Sequence, residues 1–174
     1  MDLDNEITIA RPPDEVYDYL ADIANHAEFT DHFMVDWRLT REDSYGIGAG
    51  GRWKSKAPLN RFPWGDSTIV EAERPKRIVV VGRTGKYNRN RTIGVYELER
   101  AAGGGTRVRF TYSSEPKLPS DRFLERIASG GTKRKHRKAM RRLQSILEED
   151  YGRGKRPTIA GGPRKPATGA PFRG

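Results

Sequence analysis

The chain contains no cysteine, which excludes disulfides, thiolate nucleophiles and cysteine-ligated metals. It also lacks a long apolar run. The longest stretch of strong hydrophobes is Ile78-Val79-Val80-Val81, far short of the roughly 20 residues that a membrane-spanning helix needs. The opening residues, MDLDNEI, are acidic and carry no apolar stretch of the signal-peptide kind. The expected location is therefore cytoplasmic, with a membrane periphery as the one variation. Hydrophobic residues make up only 34% and the mean hydropathy is −0.83, both low for a compact domain. The deficit is local: residues 152–174 hold six Gly, four Pro, six Lys/Arg and no acid. Such a segment buries too little surface to offset its ordering entropy, so 151–174 is expected to be a disordered basic tail after a domain spanning 1–150.

Charge divides the chain in the same place. Residues 1–132 hold 20 Lys/Arg and 20 Asp/Glu, whereas 133–174 hold 13 and 3, so the whole net charge of +10 sits at the end. Seven of the ten residues from 133 to 142 are cationic: Lys133, Arg134, Lys135, Arg137, Lys138, Arg141 and Arg142. A neutral body with a basic end points to a separable electrostatic role or to a solubilising one. The partners such a face suits are an anionic membrane surface, an acidic protein or nucleic acid phosphates. No aromatic residue lies inside the patch to stack on bases, which disfavours nucleic acid.

Alternation and turn chemistry order the rest. Residues 5–10 read as a strand. Pro12-Pro13-Asp14-Glu15 opens a helix whose Val16, Leu20 and Ile23 share one face. Residues 24–33 read as a short second helix or irregular turn. Strands are then expected at 34–42, 51–57, 67–73, 77–83, 91–100 and 106–114, with Gly103-Gly104-Gly105 turning the last hairpin. The pattern predicts a terminal helix capped by Ser120. Its apolar residues fall into two stripes. Phe123, Leu124, Ile127 and Ala128 share one arc, and Ala139, Met140, Leu143, Ile146 and Leu147 share another, rotated by roughly 130°. A kink or interruption is therefore expected at Ser129-Gly130-Gly131, where glycine is a poor helix former, so that both stripes can face the sheet.

The stretches ITIARPPDEVYDYLADIANHAEF, GIGAGGRWK, IVEAERPKRIVVVG and YELERAAGGGTRVRFTY, together with the helix end at Leu143–Glu148, resemble the helix-grip fold of the START-like (SRPBCC) superfamily. That group includes polyketide cyclase/dehydrase-like proteins and pollen-allergen-like carriers. The resemblance implies an α+β fold: a curved, mainly antiparallel sheet of about seven strands around a long C-terminal helix, with two short helices after the first strand. It also implies a hydrophobic cavity and an apolar ligand, lipid or polyketide-like, carried or cyclised there.

Candidate site residues follow. Tyr96, Phe110 and Tyr112 project from adjacent strands onto one face, and Trp37 and Trp53 are further strand aromatics. They form either the wall of a ligand pocket or plain core. Met140 and Leu143 would face that pocket from the helix. For an enzyme, Tyr96, Tyr112, Arg52 and His32 are the polar groups at hand, but no catalytic pair stands at a defined spacing. No metal-ligand spacing is present, and the three histidines, His26, His32 and His136, read as exposed or capping residues. The Gly46–Gly51 run precedes a strand rather than a helix, so it does not match a dinucleotide loop, and no cofactor is called for. Phe62 and Trp64, in the proline-bounded loop 58–65, read as a lid, a membrane insert or a pin.

Overall fold

The structure, a computed structural model, describes residues 2–56, 62–154, 157–159 and 162–163. Strand β1 (Asp2–Ile9) leads into α1 (Pro13–Ala21) and α2 (Ile23–Thr30). Six strands follow: β2 (Met34–Leu39), β3 (Gly50–Ser55), β4 (Trp64–Glu73), β5 (Arg77–Thr84), β6 (Asn90–Arg100) and β7 (Thr106–Glu115). Helix α3 (Pro119–Glu149) closes the fold. Among the described residues these seven strands form an antiparallel sheet in the order β1-β7-β6-β5-β4-β3-β2. Hairpin connection explains the order, since from β3 onward each strand pairs with its predecessor, while β1 pairs with β7. This is the helix-grip arrangement, with the predicted elements displaced by a few residues at their ends.

Burial follows the two periodicities. Val16, Leu20 and Ile23 are fully buried, as their shared helix face requires. Along β7, Val108 and Phe110 are buried while Arg107 and Arg109 face solvent. The sheet's inner face and α3 enclose one core with Ile9, Ile69, Ile78, Leu143 and Ile146.

Two expectations about α3 are corrected. Ser120 is not the cap: the helix starts at Pro119, with Leu118 preceding it and no side-chain cap. Proline at the first helical position has no N–H to satisfy and its φ is already helical. Nor does the helix break at 129–131; it runs unbroken for 31 residues. The break was required only if both apolar stripes met the sheet. Instead the first stripe stays in water, with Phe123, Leu124 and Ile127 at 66%, 63% and 68% exposure. Two glycines cost a helix only about 1 kcal/mol each, which 31 residues of continuous hydrogen bonding absorb.

The helix ends at Asp150, whose N–H reaches the Ile146 carbonyl at 3.1 Å and whose left-handed φ of 54° turns the next N–H, that of Tyr151, back toward the Ser145 carbonyl at 3.4 Å. The chain then turns back across α2. Arg142 ion-pairs with Asp31 and donates to the carbonyls of Glu28 and Gly152 at 3.1 and 2.7 Å. Arg153 meets the buried carboxylate of Glu28 at 2.7 Å. Arg142 is thus a clamp rather than a member of a free cationic face. Of the segment expected to be a tail, Thr158–Ile159 pairs in parallel with β2 and then with Gly162–Pro163. Residues 155–156, 160–161 and 164–174 lie outside the described residues.

Candidate ligand cavity

Between the sheet's inner face, α2 and α3 lies a cavity of about 70 Å³. Its wall is mainly aromatic. Tyr96 and Phe110 are register partners on β6 and β7, with ring centroids 4.6 Å apart. Tyr112 follows two residues on, on the same face. Trp37 and Trp53 face each other across β2 and β3 at 6.3 Å.

Local irregularities put the tryptophans there. Strand β2 carries an extra residue between Val35 and Arg38 relative to β3, with Asp36 in the left-handed region at φ 54°. Such a bulge breaks strict alternation, so Met34 and Trp37, three residues apart, both line the cavity. Glycine supplies the room. A Cβ at Gly51 would sit 2.7 Å from the Trp37 ring, and one at Gly65 2.8 Å from the Trp53 ring. The glycine run that fails as a phosphate loop thus ends in a seat for an indole.

Of the residues read from sequence as ligand-binding, Trp37, Trp53, Tyr96, Phe110, Tyr112 and Met140 line this cavity. Leu143 does not; it is wholly buried in the core one turn beyond Met140. The polar candidates separate. Tyr96 and Tyr112 reach the cavity, but the Arg52 guanidinium lies over the Trp64 ring at 5.3 Å. The ring of His32 bonds to neighbours outside the wall, with Nε2 3.0 Å from the Lys135 carbonyl.

The histidines expected to be exposed or capping include two wall residues. His26 and His136 are each only 5% exposed. The His26 Nε2 donates to the Leu20 carbonyl at 2.8 Å, because a carbonyl can only accept. His136 packs its ring against Tyr112 at 4.7 Å, Phe33 at 5.1 Å and Phe110 at 5.7 Å. Burial pushes both imidazoles down from 6.5 to about 4, since a desolvated cation is disfavoured; for His136 the charges of His32 and Lys135 push the same way. Both rings are neutral at pH 7. Burial likewise pushes the phenols of Tyr96 and Tyr112 up, with Glu125 adding to the effect at Tyr112. His136 had a legible signal: it stands three, four and seven residues before Ala139, Met140 and Leu143. The surrounding Lys/Arg run masked that spacing.

Among the described residues, one buried donor in the wall has no partner. The Trp37 Nε1 is buried and unbonded, whereas the Trp53 Nε1 donates to Ser67 Oγ at 3.1 Å. Next to the cavity lies an open cleft of about 250 Å³, reached past Phe33, Met34, Trp53, Tyr112 and His136, which line both. Its outer edge is Phe62, Pro63 and Trp64 on one side and Thr132 and Lys135 on the other. Residues 58–61 of the loop read as a lid lie outside the described residues. Among the described residues no group of three or more His, Asp or Glu is placed to hold a metal ion, and no helix is long and apolar enough to cross a membrane.

The profile of the family described as "Polyketide cyclase / dehydrase and lipid transport" matches residues 1–148. None of the curated proteins matches the chain. Solved structures share the fold. The KanY protein (ms6282) superposes with a TM-score of 0.67 at 17% identity, over 84% of this chain and 97% of that one. TTHA0849 from Thermus thermophilus gives 0.62 at 17% identity, over 84% and 97%. The Mll3558 protein from Rhizobium loti gives 0.59 at 19% identity, over 84% and 96%. At these identities the likeness is one of fold alone.

Proposed function

The chain belongs to the polyketide cyclase / dehydrase and lipid transport family, and from that premise we propose that it binds a small, uncharged, hydrophobic molecule, lipid or polyketide-like, in the cavity between sheet and α3. The observation that carries this reading is the chemistry of the wall. Its described lining contains aromatics, Met34, Met140, Val80 and a few neutral polar groups, and no Asp, Glu, Lys or Arg. An ionised ligand buried there would have no counter-charge, and that desolvation is costly. A neutral ligand with one carbonyl or ether oxygen would satisfy the Trp37 Nε1, relieving a donor whose burial costs about 1–3 kcal/mol while unpaired.

Size adds a constraint. A water needs on the order of 10–15 Å³ of such space, so the cavity holds a handful of waters or one ring. A larger ligand extends past His136 into the cleft. The reading is carriage rather than turnover. Two neutral imidazoles and two phenols orient a bound molecule well, but burial moves the imidazoles down and the phenols up, away from the range where proton transfer is efficient near neutral pH. The enzymatic alternative, cyclase/dehydrase chemistry, would rest on Tyr96, Tyr112 and His136.

The test is titration of the full chain with N-phenyl-1-naphthylamine, an uncharged apolar fluorophore, and displacement by neutral lipids and aromatic polyketides. Saturable binding is expected, and it should weaken at least about tenfold in Ala139→Phe, which fills the cavity from α3. A second blocking variant, Val80→Phe, fills it from the sheet. Binding unchanged in both folded variants would overturn the reading.

A further inference from the structure

The outward face of α3 carries a feature that the cavity does not use. At about 100° per residue, Phe123, Ile127, Arg134, Arg137, Lys138 and Arg141 fall within an arc of roughly 100°. The buried residues His136, Ala139, Met140, Leu143 and Ile146 centre on the opposite side. One continuous helix therefore presents a single outward meridian. Its first half is apolar, with Leu124 on the flank, and its second half is cationic. Arg122 and Arg126 border the apolar part and are exposed. The one acid between Arg122 and Leu147 is Glu125, which lies on the inward side and is half-buried.

The same end of the molecule exposes more apolar surface. Leu118 is 44% exposed, and Tyr87, in the turn between β5 and β6, is 84% exposed. That turn is tied to the helix start: Arg89 grips Asp121 with two hydrogen bonds, 2.8 and 2.6 Å. Lys86 stands over the Tyr87 ring at 5.1 Å. These exposed apolar groups thus gather at one end of the molecule, around the start of α3 and the β5–β6 turn tied to it.

We infer that this face docks onto an anionic lipid bilayer, with Phe123, Leu124 and Ile127 entering the headgroup boundary and Arg134, Arg137, Lys138 and Arg141 meeting lipid phosphates. Exposed large hydrophobes ringed by Lys and Arg, with no outward acid between Arg122 and Leu147, are the composition of an interfacial helix. Nucleic acid would satisfy the cations but leave the apolar half in water. A second copy paired about a twofold axis through the apolar half would bring Arg122 and Arg126 of both copies together. Charge complementarity and the apolar knobs together fit a lipid surface.

The docking does not depend on what the cavity holds. It is tested by flotation of the full chain with phosphatidylcholine vesicles, with and without phosphatidylglycerol. Binding to the anionic vesicles is expected, with part of it surviving at high salt. The double variant Phe123→Asp/Ile127→Asp should lose at least about tenfold in affinity while keeping cavity binding of the fluorophore, which shows that it is folded. Arg134→Gln and Lys138→Gln should each cost roughly fivefold. No binding to anionic vesicles overturns the inference. So does binding untouched by the Asp pair, or self-association that the Asp pair abolishes without any vesicle binding. Binding that high salt removes completely, and that duplex DNA reproduces, would instead assign the face to phosphate charge alone.

Discussion

The two halves of α3 have similar apolar content and opposite fates. From Lys133 onward the helix buries His136, Ala139, Met140, Leu143 and Ile146 beneath a surface of Lys and Arg. Before Thr132, Phe123, Leu124 and Ile127 stand in water. Hydrophobicity does not differ between them; angular phase does. The halves are out of register by roughly 130°, and a single rigid helix can turn only one phase toward the sheet. The longer stripe, with five positions on one arc, won. The lesson is that an apolar stripe reports burial only if the element carrying it can rotate or bend to present it. A stripe that cannot becomes surface, and hence a candidate for contact with something else.

Substitution at matched residues breaks the comparison most strongly. Leu143→Ala removes a wholly buried side chain and is expected to cost about 2–5 kcal/mol in urea unfolding. Phe123→Ala, at 66% exposure, should stay within about 0.5 kcal/mol. Equal losses would mean that the front half is covered in solution.

Acid should act on the back half next. His136 takes up a proton near 6.5 when unfolded but only near 4 when folded. Between those values the unfolded chain binds more protons, so the stability from keeping His136 neutral is complete above about 6.5 and is lost as pH falls toward 4. His26 behaves in the same way. Each contributes on the order of 3 kcal/mol at most. In His136→Leu the slope of stability against pH should fall by about half over that window, as measured by denaturant melts at stepped pH.

The smallest effect sharpens the geometry at the junction. A Cβ at Gly130 or Gly131 would meet nothing within 4 Å, and neither residue has a positive φ. Gly130→Ala and Gly131→Ala should each stabilise by about 0.5–1 kcal/mol. A loss of stability in thermal melts would point to a bend there after all.

Much of this was legible in the chain itself. Alternation at 106–114 placed Phe110 and Tyr112 inward, and the spacing of Val16, Leu20 and Ile23 placed α1. Tyr96 and Met140 were found for the same reason: local period is enough when an element has one covered face. The misreadings share a cause. In sequence His26 lies near Asp22 and Glu28 and His136 inside a Lys/Arg run, yet their neighbours in space are Phe29, Tyr96, Phe33 and Tyr112. Arg142 was counted with a cationic run, yet it turns inward because Asp31 and two carbonyls wait beside it. Leu143 was placed in the cavity although a single helical turn separates cavity from core.

By itself the sequence determined the order of elements, the antiparallel hairpins, the aromatic character of the sheet's inner face and the position of the charge. These depend on periodicity, turn residues and composition, all of which act over a few residues. Tertiary structure alone decided which stripe of α3 is buried, that two histidines are held neutral in a cavity wall, that Trp37 keeps an unpaired donor there, and that Gly51 and Gly65 make room for indoles. Each of these depends on the distance between residues far apart in the chain, and distance in space, not order along the chain, sets desolvation and packing.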